Sequence, residues 1–98
     1  MAEENDTIGR EVYPLPILIY GRPTCEDTAM VRERLKELEV SYVEIDVDED
    51  DSAARYVERI NHGQRTTPTL VFGKESFIVV EPSRAELNQA LRRAGYEV

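Results

Sequence analysis

The stretch that decides the fold is ILIYGRPTCEDT, residues 17–28. Its first four residues, Ile17–Tyr20, form a continuous β-branched and apolar run that is bounded by Pro16 and Gly21. Such a run is typical of a strand covered on both faces, since a strand with one wet face alternates polar and apolar residues. We therefore expect a central strand here, followed by a loop that ends near Cys25.

A change of hydrophobic period marks a helix after this loop. Thr24 and Asp27 have the spacing of a capping box, in which each side chain bonds the backbone N–H of the other residue. The pattern predicts Thr24 as the N-cap and Cys25 as the first helical residue. The apolar residues that follow recur at i, i+4 and i+7, on one helical face: Val31, Leu35 and Leu38.

The rest of the chain predicts three more strands and two more helices. Residues 43–47 alternate apolar and acidic, as a strand with one apolar face does. Residues 50–60 follow as an amphipathic helix with acidic caps. Residues 69–72 and 77–80 predict an antiparallel hairpin, and a second capping box opens a last helix over residues 83–94. The order βαβαββα predicts an α/β fold with a mixed sheet.

Length and charge limit the functions open to the chain. Its 98 residues make one small domain. The balance of 20 acidic against 12 basic residues gives a formal net charge of -8, which repels a polyanion. We therefore expect a monomer with no nucleic-acid and no membrane partner.

The N-terminal residues differ in character from the rest. Residues 1–14 are polar and acidic without periodicity, and we interpret them as a flexible tail before a domain that spans residues 15–98. They lack the apolar core of a secretory signal, and the longest apolar run, residues 14–20, is too short to cross a bilayer. These features predict a cytoplasmic protein.

The cysteine count directs attention to one residue. The sequence has one cysteine, Cys25, and one histidine, so it can form no internal disulfide and no four-ligand zinc site. Cys25 follows a predicted strand, and in open α/β folds the binding and catalytic residues lie at the carboxyl ends of the strands. At a helix start it faces unpaired N–H groups and the positive end of the helix dipole, which favour the thiolate. We predict a nucleophile that acts on another molecule, with no metal and no bound cofactor.

The neighbours of Cys25 act on its pKa in opposite directions. Thr28 lies one helical turn further on and can direct both its N–H and its hydroxyl at the sulfur. Glu26 and Asp27 oppose a thiolate by charge repulsion, and Arg22 is the nearest cation in sequence that could offset them. We therefore expect a thiol less acidic than a basic loop would give.

A resemblance to a known family unites these features. A first strand, a loop ending in a cysteine at a helix start, an acidic-tailed second strand, and Arg65-Thr66-Thr67-Pro68 before a hairpin resemble the glutaredoxins of the thioredoxin fold. In that family a CxxC or CxxS motif follows the first strand, and a threonine-valine-proline segment carries a cis-proline facing the cysteine. This chain reads Cys25-Glu26-Asp27-Thr28 and Thr66-Thr67-Pro68 there. The resemblance covers nearly all of residues 16–96 and implies a three-layer fold with a four-stranded sheet in the order 2-1-3-4.

The resemblance also implies roles for individual residues. Cys25 would be the nucleophile, with Thr28 beside it in the motif. Thr67 would pair through its backbone with the cysteinyl part of a small thiol, next to the cis-proline Pro68. The other residues implied to bind the small thiol are Arg22 and Arg65, as partners for its carboxylates, and Ser83.

Departures from the family pattern shape the expected activity. Thr28 stands where dithiol members have a resolving cysteine, which closes the dithiol route. The implied activity is that of a monothiol thiol–disulfide oxidoreductase, which reduces mixed disulfides between proteins and a low-molecular-weight thiol. Glu81-Pro82-Ser83-Arg84 replaces the Gly-Gly-x-Asp stretch with which glutaredoxins hold the γ-glutamyl end of glutathione. The co-substrate is therefore left open between glutathione and another small thiol such as mycothiol.

Two alternatives remain open from the sequence. One is a catalytically weak thioredoxin-fold module that binds extended peptides beside Pro68, which the Glu26-Asp27 pair and Thr28 favour. The other is a dimer, joined by a disulfide or by an iron–sulfur cluster held by two copies of Cys25 and two small thiols. Cluster-binding relatives carry a CGFS-like motif, which this chain lacks.

Overall fold

Helices and strands follow one another in the predicted order βαβαββα. In the computed structural model, which describes residues 12–98, the strands are β1 (Ile17–Gly21), β2 (Val43–Asp46), β3 (Thr69–Phe72) and β4 (Phe77–Val80). The helices are α1 (Glu26–Glu37), α2 (Asp51–Ile60) and α3 (Arg84–Arg93). Within this part of the chain, no helix is long and apolar enough to cross a membrane.

The four strands form one mixed sheet in the order β2-β1-β3-β4, as the resemblance implied. β1 is parallel to β2 and antiparallel to β3. β3 and β4 form the predicted antiparallel hairpin, with Phe72 opposite Phe77. Ile17 and Ile19 of β1 are buried against α1 and α3, as the sequence predicted, whereas Leu18 and Tyr20 on its other face are only half-buried, so the predicted cover is complete on one face.

Two apolar clusters hold the helices against the sheet. The larger cluster joins β1 and β3 to α1 and α3, and its buried members are Leu15, Ile17, Ile19, Val31, Leu35, Leu70, Phe72, Leu87, Ala90, Leu91 and Ala94. The smaller cluster packs α2 against Tyr20 and Ile45. Successive side chains of a strand point to opposite faces, so α2 lies on the face of the sheet opposite α1 and α3. The result is the expected three-layer arrangement.

β2 departs from the predicted one-sided pattern. Ile45 and Val47 pack against α2, as expected for an apolar face. Val43, however, is 60 % exposed, so the predicted apolar face is not buried along its whole length. The physical reason is its position, because it lies opposite Leu18 on the edge strand of the sheet.

Leu15 anchors the start of the chain to its end. Its N–H donates to the carbonyl oxygen of Ala94 at 2.8 Å, and its carbonyl accepts from the Tyr96 hydroxyl at 2.6 Å. Its side chain is 1 % exposed, which ties the beginning of the predicted domain into the core. Of the predicted tail, residues 1–11 lie outside those that the structure describes.

Candidate active site

A tight turn after β1 presents Cys25 at the start of α1. The Cys25 N–H donates to the carbonyl oxygen of Arg22 at 3.1 Å, which closes a four-residue turn. Pro23 suits the second position of this turn because its ring fixes φ at about −65°. Cys25 itself is extended, with φ −83° and ψ 122°, and its carbonyl accepts the first helical N–H, from Ala29 at 3.0 Å. Cys25 is therefore the N-cap of α1.

The prediction that Thr24 caps α1 is wrong. The turn places Thr24 one residue before the cap, and the described helix start has no side-chain capping bond. The sulfur of Cys25 instead occupies the place where the oxygen of a capping Ser or Asp accepts from the second and third helical N–H groups. In α1 those groups belong to Asp27 and Thr28.

The thiol contacts the loop that precedes β3. Its Sγ donates to the carbonyl oxygen of Thr67 at 3.7 Å, although the two residues are 42 positions apart in sequence. The Thr67–Pro68 peptide bond is cis. Thr67 is 7 % exposed and Pro68 is buried, whereas Cys25 is only half-buried. The sulfur is therefore partly accessible to solvent and lies against the backbone of the Thr67–Pro68 segment.

Asn61 and Thr69 hold this segment in place. Asn61 Nδ2 donates to the Val57 carbonyl at 3.0 Å and to the Thr69 hydroxyl oxygen at 3.2 Å. The Thr69 hydroxyl in turn donates to the Thr66 carbonyl at 2.8 Å. Thr69 is fully buried, so leaving its hydroxyl without partners would cost about 1–3 kcal/mol. Asn61 is the C-cap of α2, and no local spacing in the sequence relates it to this loop.

Thr28 lies one turn along α1 from the thiol and is fully buried. Its Oγ1 has no hydrogen-bond partner among residues 12–98. Gly21 makes room for this side chain, since a Cβ at residue 21 would lie 2.5 Å from Thr28 Cγ2 and 3.0 Å from Oγ1. The protonated thiol directs its hydrogen at the Thr67 carbonyl, and its sulfur is only a weak acceptor for the Thr28 hydroxyl. A Cys25 thiolate is the acceptor that this hydroxyl lacks.

The pKa of the Cys25 thiol lies below its ordinary value. Partial burial acts to raise this pKa, because burial disfavours the anion. In the thiolate form, hydrogen bonds to the sulfur from the hydroxyl and N–H of Thr28, from the Thr67 side chain and from the Asp27 N–H lower it and prevail. The carboxylates of Glu26 and Asp27 are on exposed residues, where water and salt screen their repulsion. The helix start therefore favours the nucleophilic form of the sulfur.

The two predicted arginines lie beside the thiol loops and are each paired with an acid. Arg22 Nε lies 3.0 Å from Asp48 Oδ1, and Arg65 Nε bonds a carboxylate oxygen of Glu58. Among residues 12–98, neither guanidinium forms a hydrogen bond with Cys25. No local pattern indicated the Arg65–Glu58 pair, but topology could have indicated the other, because β1 and β2 are parallel and their following residues meet at one sheet edge.

Ser83, the last predicted binding residue, caps α3. Its hydroxyl accepts from the Glu86 N–H at 3.1 Å, and its own N–H donates to the Glu86 carboxylate at 2.8 Å, which forms the predicted capping box. The segment before it approaches the site, since the Glu81 N–H donates to the Pro68 carbonyl at 2.9 Å. The structure thus brings Cys25, Thr28, Thr67 and Pro68 together and places Arg22, Arg65 and Ser83 around them in bonds of their own.

The arrangement of these residues suits thiol chemistry at the sulfur of Cys25. Cys25 is a free cysteine with a lowered pKa and partial access to solvent. Among residues 12–98, no group of three or more His, Cys, Asp or Glu side chains is placed to hold a metal ion. The chemistry that the site supports is nucleophilic attack by a thiolate.

A family model for glutaredoxins matches residues 17–78, from the start of β1 to the second residue of β4. The chain belongs to the glutaredoxin family. Family membership assigns to this glutaredoxin the role of a thiol–disulfide oxidoreductase, which acts on thiol or mixed-disulfide substrates. A glutathione-type thiol is the co-substrate of the family.

Individual relatives agree with this assignment. "Putative glutaredoxin Rv3198A" of Mycobacterium tuberculosis H37Rv is 29 % identical over 75 residues, which are 76 % of this glutaredoxin and 88 % of the relative. The crystal structure of the thioredoxin-like protein BC3987 is 33 % identical with a TM-score of 0.57, over 76 % of this chain and 97 % of that one. The holo form of glutaredoxin C1 from Populus tremula x tremuloides has a TM-score of 0.60 over 82 % and 86 % of the two chains, and at 19 % identity it supports the fold alone.

Proposed function

We propose that this glutaredoxin is a monothiol enzyme that reduces mixed disulfides between proteins and a low-molecular-weight thiol, either glutathione or mycothiol. The observation that carries the proposal is that its one cysteine, Cys25, is the N-cap of α1 and has a lowered pKa. Thr28 occupies the place of a second motif cysteine, so a catalytic disulfide within the chain is excluded. Each turnover then depends on exchange with an external thiol.

The proposed reaction consists of two thiol–disulfide exchanges. In the first, the Cys25 thiolate attacks the small-thiol sulfur of the mixed disulfide. A new S–S bond forms between Cys25 and the small thiol, the old S–S bond breaks, and the protein leaves as a thiolate that takes up a proton. In the second, the thiolate of another small thiol attacks the small-thiol sulfur of this adduct, and Cys25 leaves as a thiolate. Across the two exchanges, one small thiol is consumed for each protein thiol released, and it leaves as a disulfide with the small thiol that came from the mixed disulfide.

The surrounding residues support both exchanges. Thr28 stabilises Cys25 as an anion, which helps when it attacks and again when it leaves. The Thr67 N–H makes no backbone hydrogen bond among residues 12–98 and is available to an extended ligand beside Pro68. Arg22 and Arg65 are in partly exposed ion pairs, which water and salt weaken, so a ligand carboxylate can replace Asp48 or Glu58 at small cost. Ser83 accepts a bond through its hydroxyl oxygen and keeps its proton for a ligand.

The substitution Cys25→Ser tests the enzyme. Serine is a good N-cap, so we expect the variant to keep its fold and to gain up to about 1 kcal/mol of stability. The measurement is the release of protein thiol from a glutathione or mycothiol mixed disulfide in the presence of that small thiol. We expect wild type to accelerate the reaction and Cys25→Ser to show the uncatalysed rate. Equal rates for the two proteins would contradict the proposal and leave the peptide-binding module.

A second experiment identifies the small thiol. Wild type is incubated separately with oxidised glutathione and with oxidised mycothiol, and the intact mass is recorded. We expect one adduct per chain with at least one of the two, and none on Cys25→Ser. The thiol that forms the adduct faster is the co-substrate. A chain that remains unmodified by both would contradict the small-thiol cycle.

A further inference from the structure

The surface around the thiol carries an excess of negative charge. We define the thiol rim as the charged residues on the segments beside Cys25, Thr67 and Pro68, together with the acids that pair with them. Its members are Arg22, Glu26, Asp27, Asp48, Glu58, Arg65 and Glu81. Two members are cations and five are anions, so the rim as a whole is negatively charged.

The two rim arginines contribute no free positive charge. Arg22 lies 3.0 Å from Asp48, and Arg65 is paired with Glu58. The hydrogen bond and charge of Glu58 raise the pKa of Arg65, and Asp48 and Asp51 add to this effect. Arg65 therefore lies in a field that is already acidic, and each arginine is matched by at least one carboxylate.

The other three rim carboxylates have no cationic partner among residues 12–98. Glu26 and Asp27 are the first two residues of α1, directly after the thiol, and both are exposed. Glu81 is exposed as well, and its N–H bonds the Pro68 carbonyl. The next cation along the chain, Arg84, is itself in an ion pair. Three unpaired negative charges thus flank the place where a disulfide must approach.

Two further groups at the site lack a hydrogen-bond partner in the described chain. The Thr28 hydroxyl is fully buried and without a partner in the described chain. The Thr67 N–H is without a backbone partner there. The Thr28 hydroxyl can donate to the Cys25 thiolate, and the Thr67 N–H can donate to an extended polypeptide that binds along the loop.

We infer that the protein substrate of Cys25 is a basic segment, in which Lys or Arg residues flank the cysteine of the mixed disulfide. Their positive charges complement Glu26, Asp27 and Glu81 and steer the disulfide to the thiol. The inference rests on the proposed function, because the attack is the first exchange described above: Cys25 binds the small-thiol sulfur and the basic segment leaves as a thiolate.

The test uses three synthetic peptides that differ only in the residues on either side of one cysteine. These residues are Lys in the first peptide, Gln in the second and Glu in the third, and each cysteine forms a mixed disulfide with uncharged 2-mercaptoethanol. The rate of Cys25 modification is followed by intact mass at about 20 mM and about 500 mM NaCl, where the Debye lengths are about 20 Å and about 4 Å. We expect the Lys peptide to react about tenfold faster than the Glu peptide at low salt and within about twofold at high salt.

Matched variants separate the rim from the overall charge of the protein. Glu26→Gln with Asp27→Asn removes two rim charges, and we expect it to abolish most of the Lys-to-Glu rate ratio. Glu33→Gln with Glu39→Gln changes the net charge equally at exposed positions further along α1 and beyond its end, and we expect the ratio to persist. A ratio near one in wild type, or an equal loss in both variants, would overturn the inference and leave the proposed function standing. If no peptide modified Cys25, the result would contradict both the inference and the proposed function.

Discussion

At the scale of single residues, the acidity of Cys25 depends on Thr28. A thiolate at the N-cap accepts from the Thr28 hydroxyl and N–H, and only the hydroxyl can be removed by substitution. We expect Thr28→Val to raise the pKa of Cys25 and to slow its alkylation by iodoacetamide about tenfold at neutral pH, since one bond to a charged group is lost. Thr28→Ser keeps the hydroxyl and serves as the control. An alkylation profile that is unchanged in Thr28→Val would show that the hydroxyl has no part in the acidity.

Cys25 also links the stability of the reduced protein to pH. The pKa of Cys25 is lower in the folded chain than in the unfolded one, so the unfolded state binds more protons between the two values. The free energy of unfolding therefore rises as the pH increases from below the folded pKa to above the unfolded pKa. This gain depends on the bonds to the thiolate and should shrink in Thr28→Val.

Gly21 positions Thr28, although the sequence indicated it only as the end of a strand. A methyl group at residue 21 would meet Thr28 Cγ2 at 2.5 Å. We expect Gly21→Ala to destabilise the protein by about 1–3 kcal/mol in the wild-type background, as overpacking does. In a Thr28→Ala background the two closest atoms are gone and only the Cβ at 3.3 Å remains, so the cost should fall below about 1 kcal/mol. Denaturant unfolding of the four proteins measures this, and an equal cost in both backgrounds would show that Gly21 is needed for another reason.

At the scale of helices and strands, local patterns predicted most boundaries. The capping box at Ser83, the Asp50 cap of α2 and the hairpin of β3 and β4 were all confirmed, because each depends on residues within a few positions of one another. The start of α1 was predicted wrongly because two local rules competed there. The four-residue turn that contains Pro23 forms instead of the capping box, so the N-cap of α1 is Cys25 and not Thr24.

Ser83 gives a prediction that separates capping from binding. Ser83→Ala removes a cap and should destabilise the protein by about 0.5–2 kcal/mol. Glu86→Ala removes the reciprocal bond of the same capping box and is the matched control. If the Ser83 hydroxyl donates to a carboxylate of the small thiol, only Ser83→Ala also slows adduct formation with glutathione, by about tenfold. Equal adduct rates for the two variants would restrict Ser83 to capping.

At the scale of the whole molecule, the sequence alone could not bring distant segments together. Periodicity placed Thr28 near Cys25, but the contact between Cys25 and Thr67 spans 42 residues and was expected only from the resemblance to glutaredoxins. The Glu58 partner of Arg65 was missed for the same reason, since that pair depends on how α2 packs beside the loop before β3.

The domain boundary is a property of the whole chain and can be tested by truncation. The first described core residue is Leu15, which is buried and bonded through its backbone to Ala94 and Tyr96. We expect a chain that lacks residues 1–11 to unfold within about 0.5 kcal/mol of the full chain and to alkylate at the same rate. Leu15→Ala, in contrast, should destabilise the full chain by about 2–5 kcal/mol, because it leaves a cavity between β1 and α3. A truncation as damaging as Leu15→Ala in denaturant unfolding would place the start of the domain within residues 1–11, and not at residue 15.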